Sequence, residues 1–246
     1  MSTAAPTKAV DDLAPPEVSI FIRMLCEPWM WCKRTYYRPT LSRVVSERVL
    51  GHEFVVTPGV LNPVIFRAGR YLAEFIARTP YLAFDPTSAP PTALDLGTGC
   101  GILGVFAALR GYSVTAIDIE PGAVDCARGN AKRNGVEKQM CVMEGDLFSQ
   151  IDGEVFDVVV FNLPFFRGLA HTPFERAWRS PDVIERCAAG LPSVLAKGGT
   201  AYFVLSSHGD PKGMLTALVR EGFFVERLTW NHFGVETLAI YSARYI

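Results

Sequence analysis

Asp95-Leu96-Gly97-Thr98-Gly99-Cys100-Gly101 (DLGTGCG) is the stretch on which the fold turns. It closes a short apolar run, Thr92–Leu96 (TALDL), and opens an almost wholly apolar one, Ile102–Arg110, stopped by Gly111. The short run reads as a buried strand and the longer one as a helix. Glycines between a strand and a helix permit positive φ and close approach of backbone to a ligand. Their spacing is G-x-G-x-G. Dinucleotide-binding loops use G-x-G-x-x-G, where the helix N-terminus faces a pyrophosphate. A nicotinamide-dependent oxidoreductase is therefore disfavoured.

Outward from this loop the alternation repeats. Ser113–Ile117 (SVTAI) reads as a second buried strand, and Pro121 suits the first turn of a helix that Asn134-Gly135 ends. Gln139–Met143, Phe156–Phe161 (FDVVVF) and Thr200–Ser206 supply three more strands. A helix is expected over Val183–Ala196, interrupted near Gly190 and Pro192, and another from Asp210-Pro211 to Gly222. Phe223–Trp230 and Glu236–Ala243 close the chain, and the short turn at Gly234 requires them to be antiparallel. The expected fold is α/β: a Rossmann-like, seven-stranded, mostly parallel sheet with helices on both faces and an antiparallel C-terminal edge.

Before Thr92, Pro63–Ala77 reads as a helix on the sheet, Phe54–Thr57 as a strand and Glu17–Leu50 as helical; Pro86–Pro91 is a linker. Met1–Pro16 is rich in Ala and Pro without an apolar signal-peptide core, and reads as a disordered leader. The organisation expected is a leader at 1–16, an N-terminal segment at 17–56 that contacts substrate, and one large domain at 57–246. Between Arg23 and Arg48, Lys33, Arg34, Arg38 and Arg43 are interleaved with Trp29, Trp31, Tyr36 and Tyr37. Such a mixture binds phosphate, RNA or an acidic peptide. It is equally the signature of a packed helix with a solvated basic face.

The composition is that of an ordinary globular protein: 246 residues, 49% apolar and 20% charged. A formal net charge of −1 argues against a broad electrostatic grip on nucleic acid. The six cysteines form no CxxC pair, and no metal centre is expected. Cys100, Cys126 and Cys141 read as buried thiols of a reducing compartment. No apolar run is long enough to span a bilayer, so the expected location is the cytoplasm.

Two further signals lie at the ends of successive strands. Asp118 can accept two hydrogen bonds from ribose hydroxyls. In Glu144-Gly145-Asp146-Leu147-Phe148, Asp146 can accept from an adenine amino group, and Leu147 offers a backbone N–H and an apolar wall. Singly, each has a plain structural reading: a tight turn, a helix cap before Pro121, a turn residue. Together, DLGTGCG, Asp118 and GDLF resemble the class I S-adenosylmethionine (SAM)-dependent methyltransferases, from about Pro58 to the C-terminus. The resemblance implies that Gly97, Gly99 and Gly101 hold the methionine end of SAM, Asp118 the ribose and Asp146 the adenine. It implies that Asp95 organises the ammonium end and that Thr98, Ile119, Leu147 and Asn162 complete the binding set. SAM has no phosphate, which suits the departure from dinucleotide spacing.

The fourth strand ends in Phe161-Asn162-Leu163-Pro164-Phe165-Phe166. This resembles the NPPY/NPPF signature of methyltransferases acting on planar amide or exocyclic amine nitrogens, such as HemK-like glutamine methyltransferases and RsmC-type ribosomal RNA enzymes. The lone pair of such a nitrogen is delocalised. Two acceptors gripping its N–H bonds, the side-chain oxygen of Asn162 and the carbonyl of Leu163, would free it and aim it at the methyl group. Phe165 would stack on the planar group, with Pro164 shaping the loop. Leu163 stands where the family has a first proline, so the loop loses that ring's stiffness. Thr57–Pro63 resembles the loop these enzymes place over SAM, and Gly222–Leu238 resembles the terminal hairpin of HemK-like proteins. His171 and His208 could act as bases or be incidental. The N-terminal segment is shorter than the recognition domain of a release-factor methyltransferase. The acceptor is left as a protein glutamine, a small-molecule nitrogen or a nucleobase. The rival from another class is a non-catalytic SAM-binding module, which would not need Asn162.

Overall fold

A computed structural model describes residues 10–17, 42–83, 89–164 and 166–245. Its centre is a seven-stranded sheet. The strands are β3 (Thr92–Leu96), β4 (Ser113–Asp118), β5 (Met140–Glu144), β6 (Phe156–Phe161), β9 (Leu195–Ser206), β10 (Phe223–Phe233) and β11 (Glu236–Tyr245). Their order is β10-β11-β9-β6-β3-β4-β5. β3 pairs in parallel with β4 and β6, and β11 runs antiparallel to β9 and β10, as expected for this fold class. The chain order reverses at β3: β4 and β5 lie to one side, β6 and β9 to the other. A cleft opens outside the carboxyl ends of the strands at such a switch point.

Side-chain alternation divides the core into two. Ala93, Val158 and Val160 face α2 (Arg67–Arg78), α3 (Ile102–Leu109) and α4 (Pro121–Arg133). Leu94, Leu96, Val159 and Phe161 face α6 (Val183–Val194) and α7 (Pro211–Arg220). On that second face Phe161, Phe203 and Tyr241 stack across three adjacent strands, with centroids 4.9 and 5.4 Å apart. α6 runs unbroken through Gly190 and Pro192; the proline falls in its last turn, and Gly190 makes room for the Phe148 ring.

Three expectations are corrected. The part of Glu17–Leu50 at Val45–Val49 is a strand, β1, paired with β2 (His52–Val56). Leu50 and Gly51 both have positive φ, the requirement of a two-residue hairpin turn. Val49, Phe54 and Val56 are buried in the α2–α4 core, so residues 45–56 pack as part of the main body. Within the stretch expected as a disordered leader, α1 (Val10–Leu13) docks on the sheet's other face. Leu13 is buried, and its carbonyl accepts from the Tyr241 hydroxyl at 2.7 Å, giving that buried group a partner. Cys141 is exposed because β5 is an edge strand; Cys100 and Cys126 are buried. The basic and aromatic residues from Arg23 to Arg38 lie outside the described residues. Among the described residues no helix is long and apolar enough to cross a membrane, and no cluster could hold a metal ion.

Asn130 of α4 joins the hairpin to the glycine loop. Its oxygen accepts from Val55 N, and its amide nitrogen donates to the carbonyls of Val55 and Cys100, each at 2.8 Å. Asn130 is 1% exposed. Its removal strands several polar groups at once, each costing about 1–3 kcal/mol where water cannot reach. Asn130→Ala should lower stability in urea by about 2–4 kcal/mol, and more than Asn134→Ala. A loss below about 1 kcal/mol would show that the hairpin is held otherwise.

Candidate active site

A cavity of about 360 Å³ lies at the carboxyl ends of β3, β4 and β6, within the range of small-molecule sites. Gly97, Thr98 and Gly99 form one wall. Gly97, Gly99 and Gly101 all have positive φ, at 71°, 56° and 81°. A Cβ on Gly101 would come within 3.0 Å of the Ala127 backbone, and one on Gly97 within 3.3 Å of the Leu163 side chain. Gly101 thus seats α3 against α4, and it stands behind the wall rather than in it.

Asp95 also stands behind the loop, fully buried. One carboxylate oxygen accepts from the Thr98 hydroxyl at 2.6 Å and from Gly104 N at 2.8 Å; the other has no hydrogen-bond partner among the described residues. Burial pushes its pKa up to about 7, against the lowering effect of those two bonds. One oxygen of the carboxylate expected to organise a ligand's ammonium group is engaged in shaping the loop.

Asp118 and Ile119 line the cavity from the end of β4. Asp118 accepts from Gly99 N at 2.8 Å with one oxygen and from Glu120 N at 3.0 Å with the other. Each oxygen keeps acceptor capacity for a ligand. Burial raises its pKa, opposed by the two backbone bonds. Ile119 is 49% exposed and forms an apolar shelf. Asp146 and Leu147 follow, Leu147 at φ 52°. Asp146 is ion-paired at 2.5 Å with Arg186 of α6, a cavity residue that sequence reasoning missed.

At the other end stand Asn162, Leu163 and Pro164; Phe165 lies outside the described residues. The Asn162 side-chain oxygen is buried and has no hydrogen-bond partner among the described residues. Leu163 is 7% exposed and packs toward Gly97. Facing them are Gly59, Val60, Leu61, Phe66 and Gly69, from the loop before α2 and its first turn. Asn62 shapes that loop: its oxygen accepts from Val64 N and Ile65 N, and its nitrogen donates to Glu47 at 2.7 Å.

A strap that sequence reasoning did not foresee covers the cavity. It comprises β7 (Phe166–Arg167), α5 (Pro173–Arg176) and β8 (Arg179–Ser180). Phe166 N donates to Trp178 O at 3.0 Å, and the Trp178 ring meets Phe66 edge-on at 4.3 Å. Arg167 ties the strap down, forking onto Glu185 at 2.6 and 2.7 Å and reaching Asp210 at 2.8 Å. Arg176 forms an ion pair with Glu120 from the opposite wall. Neither candidate histidine lines the cavity: His208 Nε2 shares a hydrogen bond with Val235 O, and His171 N donates to Glu175.

The chain matches the family model of the methyltransferase small domain over residues 83–228. It is 35% identical over 115 residues to the ribosomal RNA small subunit methyltransferase C of Alcanivorax borkumensis, covering 47% of this chain and 32% of that protein. It is 32% identical over 177 residues to the release factor glutamine methyltransferase of Chlorobaculum tepidum, covering 65% and 60%. The chain therefore spans less than two thirds of either relative. Among solved structures it shares its fold with a T. thermophilus 16S rRNA N2 methyltransferase crystallised with AdoMet and guanosine. The TM-score is 0.61 at 21% identity, over 83% of this chain and 50% of that one.

The raised pKa of Asp95 has a consequence for stability. The folded chain holds its proton from the unfolded value near 3.8 up to about 7, so stability falls as pH rises through that window. Asp95→Asn keeps an acceptor for Thr98 and Gly104 and removes the charge. Relative to the native chain, it should become steadily more stable in urea between pH 4 and 7, by at most about 4 kcal/mol. A difference independent of pH would exclude Asp95 as the titrating group.

Proposed function

We propose that this chain, which belongs to the methyltransferase small domain family, transfers the methyl group of SAM to an amide or amine nitrogen. The observation that carries the nitrogen assignment is the orphaned oxygen of Asn162. A buried acceptor without a partner costs about 1–3 kcal/mol. The residue lines the cavity, and an N–H of the acceptor would give that oxygen its partner.

The residues present fit the cofactor. The glycine loop offers the bare backbone of Gly97 and Gly99 to a ligand, Asp118 keeps acceptor capacity for ribose hydroxyls, and Ile119 and Leu147 offer apolar walls to adenine. Asp146 retains one oxygen beyond its pair with Arg186 for the adenine amino group. When bound, SAM supplies an electrophilic methyl group on its sulfonium sulfur.

The chain's own work is orientation. Asn162 and the Leu163 carbonyl accept the two N–H bonds of the acceptor and withdraw its lone pair from conjugation. Phe165 is assigned to stack on its planar face. The missing proline is compensated: the buried Leu163 side chain, set against Gly97, stiffens the loop by packing. No strong base is required before transfer, in keeping with histidines that stand outside the cavity wall.

A glutamine-type amide is the first choice of acceptor, supported by the near-neutral charge and by the release-factor relative. An exocyclic amine of a nucleobase is the second, supported by the relative named for ribosomal RNA.

The test is a split between binding and rate. Asn162→Ala should bind SAM as the native chain does and lose on the order of 10²-fold or more in kcat, the scale of one preorganised polar contact. Asn162→Asp keeps an acceptor oxygen and should retain part of the activity. Full activity in Asn162→Ala would remove the acceptor grip and with it the assignment to nitrogen.

A further inference from the structure

The guanidiniums of the cavity are not equivalent. Arg176 is paired with Glu120, and Arg186 with Asp146. Arg179 lines the same cavity and has no ion-pair partner among the described residues. The cavity's third carboxylate, Asp118, is engaged with two backbone N–H groups. Arg179 is thus a cation on the cavity wall without a counter-ion among the described residues.

Its position is set by the strap. In the β7–β8 ribbon Arg179 pairs with Phe166, two residues beyond Pro164 in the loop that carries Asn162. Trp178, its neighbour, is held by the bond from Phe166 N and by the contact with Phe66. A guanidinium is a planar fork of N–H donors that fits carboxylate and phosphate oxygens two at a time.

We propose that Arg179 selects the methyl acceptor by gripping an oxyanion, a carboxylate or a phosphate, that the acceptor carries near its reactive nitrogen. The inference rests on the reading of this cavity as an acceptor site. It adds that the preferred acceptor is anionic there.

The experiment measures binding without turnover, by ligand-observed NMR on the full chain saturated with S-adenosylhomocysteine. The probes are twins differing in one anion: adenosine against adenosine 5′-monophosphate, and N-acetylglutamine amide against N-acetylglutamine. At least one anionic twin should bind about ten-fold or more tightly than its neutral partner. A gain in the first pair alone identifies phosphate, and in the second alone carboxylate. Arg179→Gln should close the gap, Arg179→Lys should keep part of it, and both should bind SAM as before. Twins that bind alike, or do not bind, overturn the proposal. A fall in SAM affinity in Arg179→Gln also overturns it, by assigning the guanidinium to the cofactor's own carboxylate. Because no methyl transfer is read, this proposal can fail while the Asn162 kinetics stand, and the reverse.

Discussion

The carboxylate of Asp95 ties three pieces of backbone together in a place water cannot reach. It sits at the end of β3, accepts from Thr98 in the glycine loop, and accepts from Gly104 in the first turn of α3. The strand, the loop and the helix are thereby fixed to a common point. Gly97 and Gly101 then give the loop two close approaches, to Leu163 on one side and Ala127 on the other. Through the first, the loop that forms one wall of the cavity also packs against the residue beside Asn162. Through the second, it is braced against the helix whose Asn130 holds both the loop and the β1–β2 hairpin. A carboxyl group buried with one oxygen lacking a partner among the described residues is costly, and its raised pKa reflects the cost of charging it there. The cost is borne where the backbone has to keep an open, positive-φ shape.

The cavity is organised by charges that largely neutralise one another. Asp146 with Arg186 and Glu120 with Arg176 join opposite walls. These pairs are partly exposed, so each contributes little to stability. Their effect is geometric: Arg186 fixes one oxygen of Asp146, and Arg176 draws the strap toward the β4 end. Among the described residues, what is left over on the cavity wall is the acceptor capacity of Asp118, the bare oxygen of Asn162 and the guanidinium of Arg179, and these are the groups proposed to meet ligands.

The strands and the glycine loop were legible in the sequence because their signals are local. TALDL, SVTAI and FDVVVF are short apolar runs ended by turn residues, and the strand ends place Asp118, Asp146 and Asn162 automatically. Most of the candidate site follows from that placement. The positions of Asp95 and Gly101 behind the loop are not legible in sequence, which shows position along the loop but not the side from which it is braced. The strap, Arg179 and the Arg186–Asp146 pair were missed because they depend on tertiary contacts between residues 40 or more apart or on a loop without periodicity. β1 carries a local signal of its own. Leu50-Gly51 is a hairpin turn between runs containing Val45, Val49, Val55 and Val56. Docking of α1 could not have been read at all, since it rests on a tyrosine hydroxyl more than 200 residues away.

The most direct measurement is the identity of the atom that receives the methyl group. The full chain would be incubated with methyl-labelled SAM and fractionated cell extract, and the labelled product mapped by mass spectrometry. The expected product carries the label on an amide or exocyclic amine nitrogen, where Asn162 and the Leu163 carbonyl can each take an N–H. A label on carbon, oxygen or sulfur would contradict that grip, because none of those acceptors presents two N–H bonds to it.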